Sequence, residues 1–280
     1  MAGVEEKVAA HYTTGALYDR VIEALRATGV DPDQAVPADL SGADEFHTAG
    51  RLATERLLAD IEIGAETRVL DIGAGIGGPA RHIADRFGAH VTGIDLTPEF
   101  VETAARLSAL VGLGERTRFL EGSGTAMPIA DGAFDLALLL HVGMNIADKP
   151  ALLAEVARVL APGGRFLVFD VMAAAGEGAL LFPLPWSSVP ETSFVAPPAA
   201  YRAAGAAAGL TLLAERDHTE MATAFFAEAF ARVAREGPAP LGIHLMMGET
   251  AGEKLQNYVA NLEAGRIAPT EMVFAKAGDG

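Results

Sequence analysis

A glycine-rich turn followed by a carboxylate is the feature of this chain best suited to bind a ligand. The segment VLDIGAGIGGPA, residues 69–80, predicts a strand, a turn and the start of a helix. Gly73, Gly75 and Gly77 tolerate positive φ and carry no Cβ, so a ligand can approach the backbone closely. Asp95 ends the next predicted strand, 18 residues after Gly77, where a carboxylate can accept both hydroxyls of a ribose. The pattern predicts a cofactor that contains a nucleoside.

Three polar side chains are candidates for catalysis. His141 follows the fourth predicted strand, at the carboxyl edge where open α/β sheets bind ligands. An imidazole there either acts as a base or hydrogen-bonds the substrate, or it only packs against the cofactor, and the residues leave both readings open. Asn145, in the loop that follows, is either a polar contact to the substrate or a turn former. His47, in a loop of the N-terminal region, is a positioning group in preference to a base.

Short apolar runs alternate with amphipathic helices from residue 67 onward, which is typical of a parallel sheet covered on both faces. The pattern predicts seven strands, at residues 68–72, 90–95, 117–120, 134–140, 165–170, 211–216 and 271–276. It predicts helices at residues 78–87, 98–111, 149–160, 199–208, 221–236 and 250–264. The expected fold is therefore α/β.

Four regions are expected along the chain. Residues 1–62 are predicted to form an N-terminal helical lid, and residues 63–217 an α/β core that binds the cofactor. Residues 218–268 are predicted to form a helical insertion against the substrate pocket, and residues 269–280 the final strand and tail.

Composition excludes several classes of function. The chain has 280 residues, with 21 Lys and Arg against 37 Asp and Glu, a net charge of −16 that disfavours nucleic acid and anionic membranes as partners. It has no cysteine, which excludes disulfides and thiolate metal sites, and no His pair has zinc-site spacing, so no metal is expected. The first residues have no apolar signal-peptide core and no apolar run is long enough to span a membrane. A cytoplasmic protein is expected.

Two classes of cofactor share this glycine spacing. Residues 73–78 also match the G-x-G-x-x-G fingerprint of dinucleotide-binding folds, and the spacing to Asp95 suits that interpretation as well. Three further features favour a cofactor other than a dinucleotide. Asp71 lies two residues before the first glycine, the segment DGAFDLALLLHV follows, and the segment LLAEVARVLAPGGRFLVFD contains a tight turn at its PGG. On these features and the glycine turn, four motifs in all, residues 67–170 resemble the class I S-adenosylmethionine-dependent methyltransferases.

The resemblance implies a Rossmann-like seven-stranded methyltransferase sheet with an antiparallel last strand. It also implies roles: Asp71 helps to order the glycine loop, whose backbone faces the methionine part of the cofactor, and Asp95 holds the ribose. An acid that commonly follows the third strand accepts the adenine amino group, but Ser123 stands there, so Ser123 or a carbonyl near Gly124 is expected to replace it. The cofactor-binding residues expected on this basis are Tyr12, Asp71, Gly73, Ala74, Gly75, Gly77, Asp95, Leu96, Ser123, Gly124, Thr125 and His141.

A narrower resemblance comes from DEFHTAGRLAT, residues 44–54, and LLHVGMNIADK, residues 139–149. These segments are similar to the sarcosine/dimethylglycine N-methyltransferases and related small-molecule methyltransferases. In that subgroup an N-terminal helical segment folds over the cofactor, which implies a lid containing Tyr12, His47 and Thr48. Arg51 is the candidate cationic clamp for a substrate carboxylate.

The expected substrate is a small molecule held by Trp186, His244, Met246 and Met247. Trp186 in the Pro-rich loop either covers the substrate or anchors the core. The two methionines near His244 suggest an apolar wall and a greasier substrate. The resemblance favours methyl transfer to an amine nitrogen, with O- or C-methylation of a secondary metabolite as the alternative. An NAD-dependent oxidoreductase and a non-catalytic S-adenosylmethionine-binding protein remain open, as does a homo-oligomer.

Overall fold

The computed structural model describes residues 2–13 and 15–278 and places a single sheet behind an N-terminal helical region. The helices that precede the sheet are α1 (Ala2–Tyr12), α2 (Leu17–Ala27), α3 (Ser41–Asp44) and α4 (Gly50–Leu58). The first half of the sheet region contains β1 (Arg68–Ile72), α5 (Gly78–Phe87), β2 (His90–Asp95), α6 (Pro98–Leu110), β3 (Thr117–Glu121), β4 (Phe134–Leu140) and α7 (Lys149–Val159). The second half contains β5 (Leu160–Ala173), α8 (Pro198–Ala207), β6 (Leu210–Asp217), α9 (Thr219–Glu236), α10 (His244–Met247), α11 (Ala251–Glu263) and β7 (Ile267–Lys276).

The strands lie in the order β3-β2-β1-β4-β5-β7-β6. β1 to β5 are parallel, whereas β7 runs antiparallel to both of its neighbours, β5 and β6. The predicted α/β fold with seven strands and a reversed last strand is therefore confirmed. Because β1 has β2 on one side and β4 on the other, the glycine turn after β1 lies where the strand order reverses, the usual ligand site of an open α/β sheet.

β5 and β7 extend three or more residues beyond their predicted bounds. β5 and β7 pair continuously from Arg165 with Ala275 to Ala173 with Ile267, so the ladder extends both strands beyond their apolar runs. The PGG segment predicted as a tight turn lies inside β5 as an irregularity, with Gly163 at φ 78° and a register shift against β4. The other predicted strands and helices of the sheet region begin and end within two residues of the observed bounds.

Apolar side chains bury both faces of the sheet. On one face, Leu152 and Val156 of α7 and Tyr201 of α8 are at most 1% exposed. On the other, Leu57 of α4 and Ile83 of α5 pack in a second cluster. These contacts fix α5 and α7, and with them the loops at the carboxyl edge of the sheet.

Part of the N-terminal region packs on α6. Leu25 of α2 and Leu40 are fully buried in one cluster with Phe100 and Leu107 of α6, and Met246 of α10 joins the same cluster. α10, between β6 and β7, therefore supports the N-terminal region.

Candidate functional site

A cavity lies at the carboxyl ends of β1, β2 and β4, beneath α1. The cavity is partly open to solvent, and its wall includes the glycine turn and the residues that follow β2, β3 and β4.

Asp95 holds the glycine turn in place. The amide nitrogens of Gly73 and Ala74 donate to the carbonyl oxygen of Ile94 at 2.7 and 3.0 Å, and that of Gly75 donates to Asp95 Oδ2 at 2.9 Å. Asp95 Oδ1 accepts from the amide of Thr97 at 2.8 Å. The ordering role expected of Asp71 thus falls to Asp95, because Asp95 ends the neighbouring strand and its carboxylate reaches the turn. Burial raises the pKa of Asp95, and these N–H donors oppose the shift.

Asp71 lines the cavity with an oxygen that lacks a partner. Its side chain is 1% exposed, and Oδ2 has no hydrogen bond to any residue that the structure describes. Burial, and next the negative charge of Glu45, raise the pKa of Asp71 to about 7. A buried carboxylate without a partner is costly, so this position suits a ligand that brings a cation. The methionine ammonium of S-adenosylmethionine is such a group.

His141 closes the cavity after β4. Its backbone has φ 56°, a left-handed conformation rare for residues other than glycine, and its amide donates to the carbonyl of Phe169 at 2.7 Å. Burial, with a smaller effect from His47, lowers the pKa of His141 well below its usual value. Nε2 is buried with no partner among the described residues. The ring is therefore neutral at neutral pH and available to accept a hydrogen bond or a proton.

His47 lines the same cavity, with its ring centroid 6.0 Å from that of His141. His47 Nε2 lies 2.9 Å from Glu45 Oε2, which also accepts from the hydroxyl of Thr54 at 2.8 Å. Arg51 Nε donates to Glu45 Oε1 at 2.6 Å. Burial alone would raise the pKa of Glu45, but the hydrogen bonds and charges of His47 and Arg51 outweigh it and lower the pKa to about 2.

This pairing changes the reading of Arg51. Its guanidinium is held by the ionised carboxylate of Glu45 and donates from NH1 to His82 Nδ1 at 2.9 Å, and Arg51 does not line the cavity within the described part of the chain. The prediction that Arg51 clamps a substrate carboxylate is therefore wrong, because Arg51 pairs with Glu45 outside the cavity wall.

One face of α1 covers the opening of the cavity. Val4, Glu5, Val8 and Tyr12 line it. The hydroxyl of Tyr12 accepts from Asn145 Nδ2 at 2.9 Å, and the hydroxyl of Ser123 donates to Glu5 Oε1 at 2.6 Å. Glu5 is a site residue that the sequence reasoning missed. The signal that could have found it is Ser123, which stands where the resemblance implies an acid, so that an acid from elsewhere in the chain could take this place.

The structure brings most of the predicted residues together. The predicted residues that line the cavity are Tyr12, His47, Asp71, Gly73, Ala74, Gly75, Asp95, Leu96, Ser123, Gly124, Thr125, His141 and Asn145. Gly77 lies just outside and caps the start of α5 at φ 85°. Thr48 is also outside, hydrogen-bonded to Tyr258 at 2.7 Å.

The residues predicted to hold the substrate lie elsewhere. Trp186, His244, Met246 and Met247 are absent from the cavity wall formed by the described residues. The indole of Trp186 donates to Ser193 Oγ at 2.9 Å and meets Tyr258 edge-on, as in a core anchor. Met246 packs under the N-terminal helices, as described above, and Met247 is 4% exposed. The apolar wall suggested by the sequence therefore supports the fold around the cavity, because the segment after α9 lies against α2 instead of against the sheet edge.

Comparison with known families matches residues 70–168 to one described as "Methyltransferase domain". The chain contains a methyltransferase domain. The resemblance inferred from the glycine turn, Asp95 and the PGG segment is thus confirmed. S-adenosylmethionine is the methyl donor of this family, so the predicted cofactor and enzyme class are confirmed for this domain.

Relatives of the methyltransferase domain act on different atoms. The chain is 33% identical over 159 residues to the methyltransferase GfsG of Streptomyces halstedii, a match that covers 56% of the chain and 57% of that protein. It is 35% identical over 164 residues to the tocopherol O-methyltransferase of Arabidopsis thaliana, which covers 56% and 46%. It is 33% identical over 131 residues to the glycine/sarcosine/dimethylglycine N-methyltransferase of Actinopolyspora halophila, which covers 47% and 23%. The matches span 57% or less of the length of these relatives.

Solved structures extend the likeness of fold over nearly the whole chain. The geranyl diphosphate C-methyltransferase of Streptomyces coelicolor, in complex with Mg²⁺, geranyl-S-thiolodiphosphate and S-adenosyl-L-homocysteine, superposes with a TM-score of 0.72. The alignment covers 98% of both chains at 16% identity. The helices around the methyltransferase domain thus share the architecture of that enzyme.

Two further findings concern metals and membranes. The described residues contain no group of three or more His, Asp or Glu side chains placed to hold a metal ion. In the same residues, no helix has both the length and the apolar character needed to cross a membrane.

Proposed function

We propose that this protein transfers the methyl group of S-adenosylmethionine to an amine nitrogen of a small molecule that bears no carboxylate or phosphate. The observation that supports the cofactor is the cavity at the glycine turn, which is lined by Asp95 and by Asp71, whose Oδ2 has no partner among the described residues. The observation that supports the acceptor is the charge of the cavity wall.

The charged residues of the cavity wall are almost all acidic. Glu5, Asp44, Asp71, Asp95 and Asp148 line the cavity, and within the residues described no Lys or Arg does. An anionic acceptor would find no Lys or Arg on this wall to pair with among the described residues. Amino-acid substrates and prenyl diphosphates are therefore disfavoured, whereas a neutral amine is compatible with the wall.

Two unpaired acceptor atoms support nitrogen over oxygen. Nε2 of His141 and Oδ1 of Asn145 are both buried without partners among the described residues. When the His141 proton is on Nδ1, a primary amine can donate to both atoms, whereas a hydroxyl has one proton and leaves one of them unpaired. O-methylation is the second candidate, because a neutral His141 can also take the proton of a hydroxyl.

The chain has three tasks in this reaction. When bound, S-adenosylmethionine supplies a methyl group bonded to a positively charged sulfur. The protein must align the acceptor nitrogen with that bond, exclude water and remove one proton from the nitrogen. His141 Nε2, which is buried without a partner among the described residues, would take up the proton that the acceptor nitrogen loses.

The test is a binding measurement followed by a substrate screen. Isothermal titration with S-adenosylhomocysteine, with NAD in parallel, is expected to show micromolar binding of the first only. Mass spectrometry then follows methyl gain on neutral amines, phenols, amino acids and prenyl diphosphates. Binding of NAD alone would overturn the cofactor, and turnover confined to anionic acceptors would overturn the acceptor class. Cofactor binding without methylation of any class would favour a non-catalytic binding protein.

A further inference from the structure

We propose that Glu5 of the covering helix α1 recognises the exocyclic amino group of the cofactor's adenine and thereby links closure of α1 to the identity of the base. This inference rests on the proposed function, because it assumes that the cavity binds S-adenosylmethionine.

The position of the base follows from the order of the strands. Asp95, at the end of β2, is the carboxylate placed to hold a ribose, and the glycine turn follows β1. β3 is the next strand outward in the order β3-β2-β1. A base attached to that ribose and pointing away from the glycine turn reaches the loop after β3, where Ser123 and Thr125 line the cavity.

The hydroxyl of Ser123 already makes hydrogen bonds within the protein and cannot also accept one from the amino group of adenine. Its single proton is donated to Glu5 Oε1 at 2.6 Å, and its oxygen accepts from the amide of Thr125 at 3.1 Å. The Thr125 hydroxyl also lies 2.9 Å from Ser123 Oγ. Ser123 therefore acts as a support that fixes the carboxylate of Glu5 at this end of the cavity.

The carboxylate of Glu5 has the capacity that Ser123 lacks. A carboxylate offers about four lone-pair sites on two oxygens, so the bond from Ser123 leaves Oε2 able to accept a hydrogen bond from an amine. Adenine presents an NH2 donor at this edge, whereas hypoxanthine presents a carbonyl oxygen that a carboxylate repels. Glu5 half-buried at the wall of the cavity is thus suited to select adenine.

The location of Glu5 on α1 gives this contact a second consequence. Glu5 and Tyr12 are seven residues apart, about two helical turns, and so share one face of the helix. Tyr12 is held by Asn145 near the end of β4, and Glu5 by Ser123 near the end of β3. The helix therefore spans the cavity between two polar contacts, and a base that satisfies Glu5 stabilises the closed helix.

The experiment compares S-adenosylhomocysteine with its deaminated analogue S-inosylhomocysteine, which differs only at the base edge. Affinities are measured by calorimetry for wild type, Glu5→Ala, Glu5→Gln and the control Glu6→Ala, whose side chain is exposed on α1 outside the cavity. Wild type and Glu6→Ala are expected to favour the adenine ligand by about tenfold or more, the effect of one charge-assisted hydrogen bond. Glu5→Ala should reduce this ratio to near unity.

Glu5→Gln distinguishes recognition of the base from a merely structural role of Glu5, because only recognition changes the affinity for S-inosylhomocysteine. An amide can turn its NH2 toward the carbonyl of hypoxanthine, so S-inosylhomocysteine should bind more tightly to Glu5→Gln than to wild type. Wild-type binding of S-adenosylhomocysteine with an unchanged ratio in both Glu5 variants would overturn this inference alone. Failure of wild type to bind S-adenosylhomocysteine would overturn the proposed function, and this inference with it.

Discussion

The hydroxyl of Tyr12 accepts a hydrogen bond from Asn145 Nδ2 at 2.9 Å, across 133 residues of chain. This bond joins the covering helix α1 to the loop that follows His141, so the cover and the candidate catalytic edge meet at one point. A change in either residue is expected to affect how the cavity closes.

Replacing Tyr12 with Phe keeps the ring and removes this bond. Affinity for S-adenosylhomocysteine should fall by about 0.5–1.5 kcal/mol, the net value of a neutral hydrogen bond, and amide hydrogens of α1 should exchange faster. Calorimetry and hydrogen exchange measure the two effects. Tyr18→Phe is the control, since its ring lies against Arg106 and outside the cavity. Equal exchange rates in the two variants would contradict the role of Tyr12.

Asp71→Asn should weaken cofactor binding and remove its pH dependence. The pKa of Asp71 is about 7, so its carboxylate loses its charge as the pH falls through that value and can no longer pair with the ligand's ammonium. Wild-type affinity for S-adenosylhomocysteine should therefore drop between pH 7.5 and 5.5. Asp71→Asn should bind weakly at both values, by about 1.5–3 kcal/mol relative to wild type at pH 7.5. A slope that persists in the variant would assign the titration to another group.

The same substitution should stabilise the protein without ligand. The folded pKa of Asp71, about 7, lies well above the usual value of an Asp carboxyl, so the folded state binds the proton more tightly. This contribution to stability is present at low pH and is lost as the pH rises from about 4 to 7. At pH 7.5 we expect Asp71→Asn to melt a few degrees higher, since about 1 kcal/mol shifts the Tm of a large domain by about 2–4 °C. The exposed control Asp33→Asn should melt like wild type, and a lower Tm for Asp71→Asn would contradict this expectation.

His141→Asn tests the base. Asn tolerates the left-handed backbone at this position but cannot take up the proton, so kcat should fall by about 10²–10⁴-fold, the usual contribution of general-base catalysis. Cofactor affinity should stay within about twofold. Because burial lowers the pKa of His141 well below its usual value, titration of His141 should not itself lower wild-type kcat as the pH falls from 8 to the ordinary titration range of histidine near 6.5. Loss of cofactor binding with unchanged kcat would instead indicate a packing role.

Two glycines of the turn should respond differently to alanine. At Gly73, with φ 72°, an added Cβ would lie 2.3 Å from Val142 Cγ2, so Gly73→Ala should destabilise the fold. At Gly75, with φ 54°, an added Cβ meets no atom within 4 Å among the residues described. Gly75→Ala should therefore lose about 1–2 kcal/mol of stability from backbone strain, yet bind S-adenosylhomocysteine much more weakly because its methyl group enters the cavity. Thermal melting and calorimetry separate the two, and normal affinity in Gly75→Ala would show that the ligand does not approach this backbone.

The sequence by itself determined the parts of the fold that depend on local pattern. Apolar runs of strand length and helical periodicity gave the bounds of β1, β2, β4 and α5 without error, because burial on both faces of a parallel sheet leaves little freedom in such segments. The glycine turn and Asp95 were found for the same reason, since their spacing along the chain reflects the geometry of one strand, turn and helix unit.

Tertiary structure decided every role that depends on residues distant in sequence. Glu5 reaches Ser123 across 118 residues, and no local pattern marks that pair. Arg51 was expected to face a substrate but is neutralised by Glu45, and Trp186 and Met246 support the fold away from the cavity. Asp95, from the adjacent strand, accepts from the amide of Gly75 in the turn, whereas Oδ2 of Asp71 has no partner among the described residues. Which of two acids binds the backbone and which faces the ligand is fixed by packing in three dimensions, where small differences in distance decide which hydrogen bonds form.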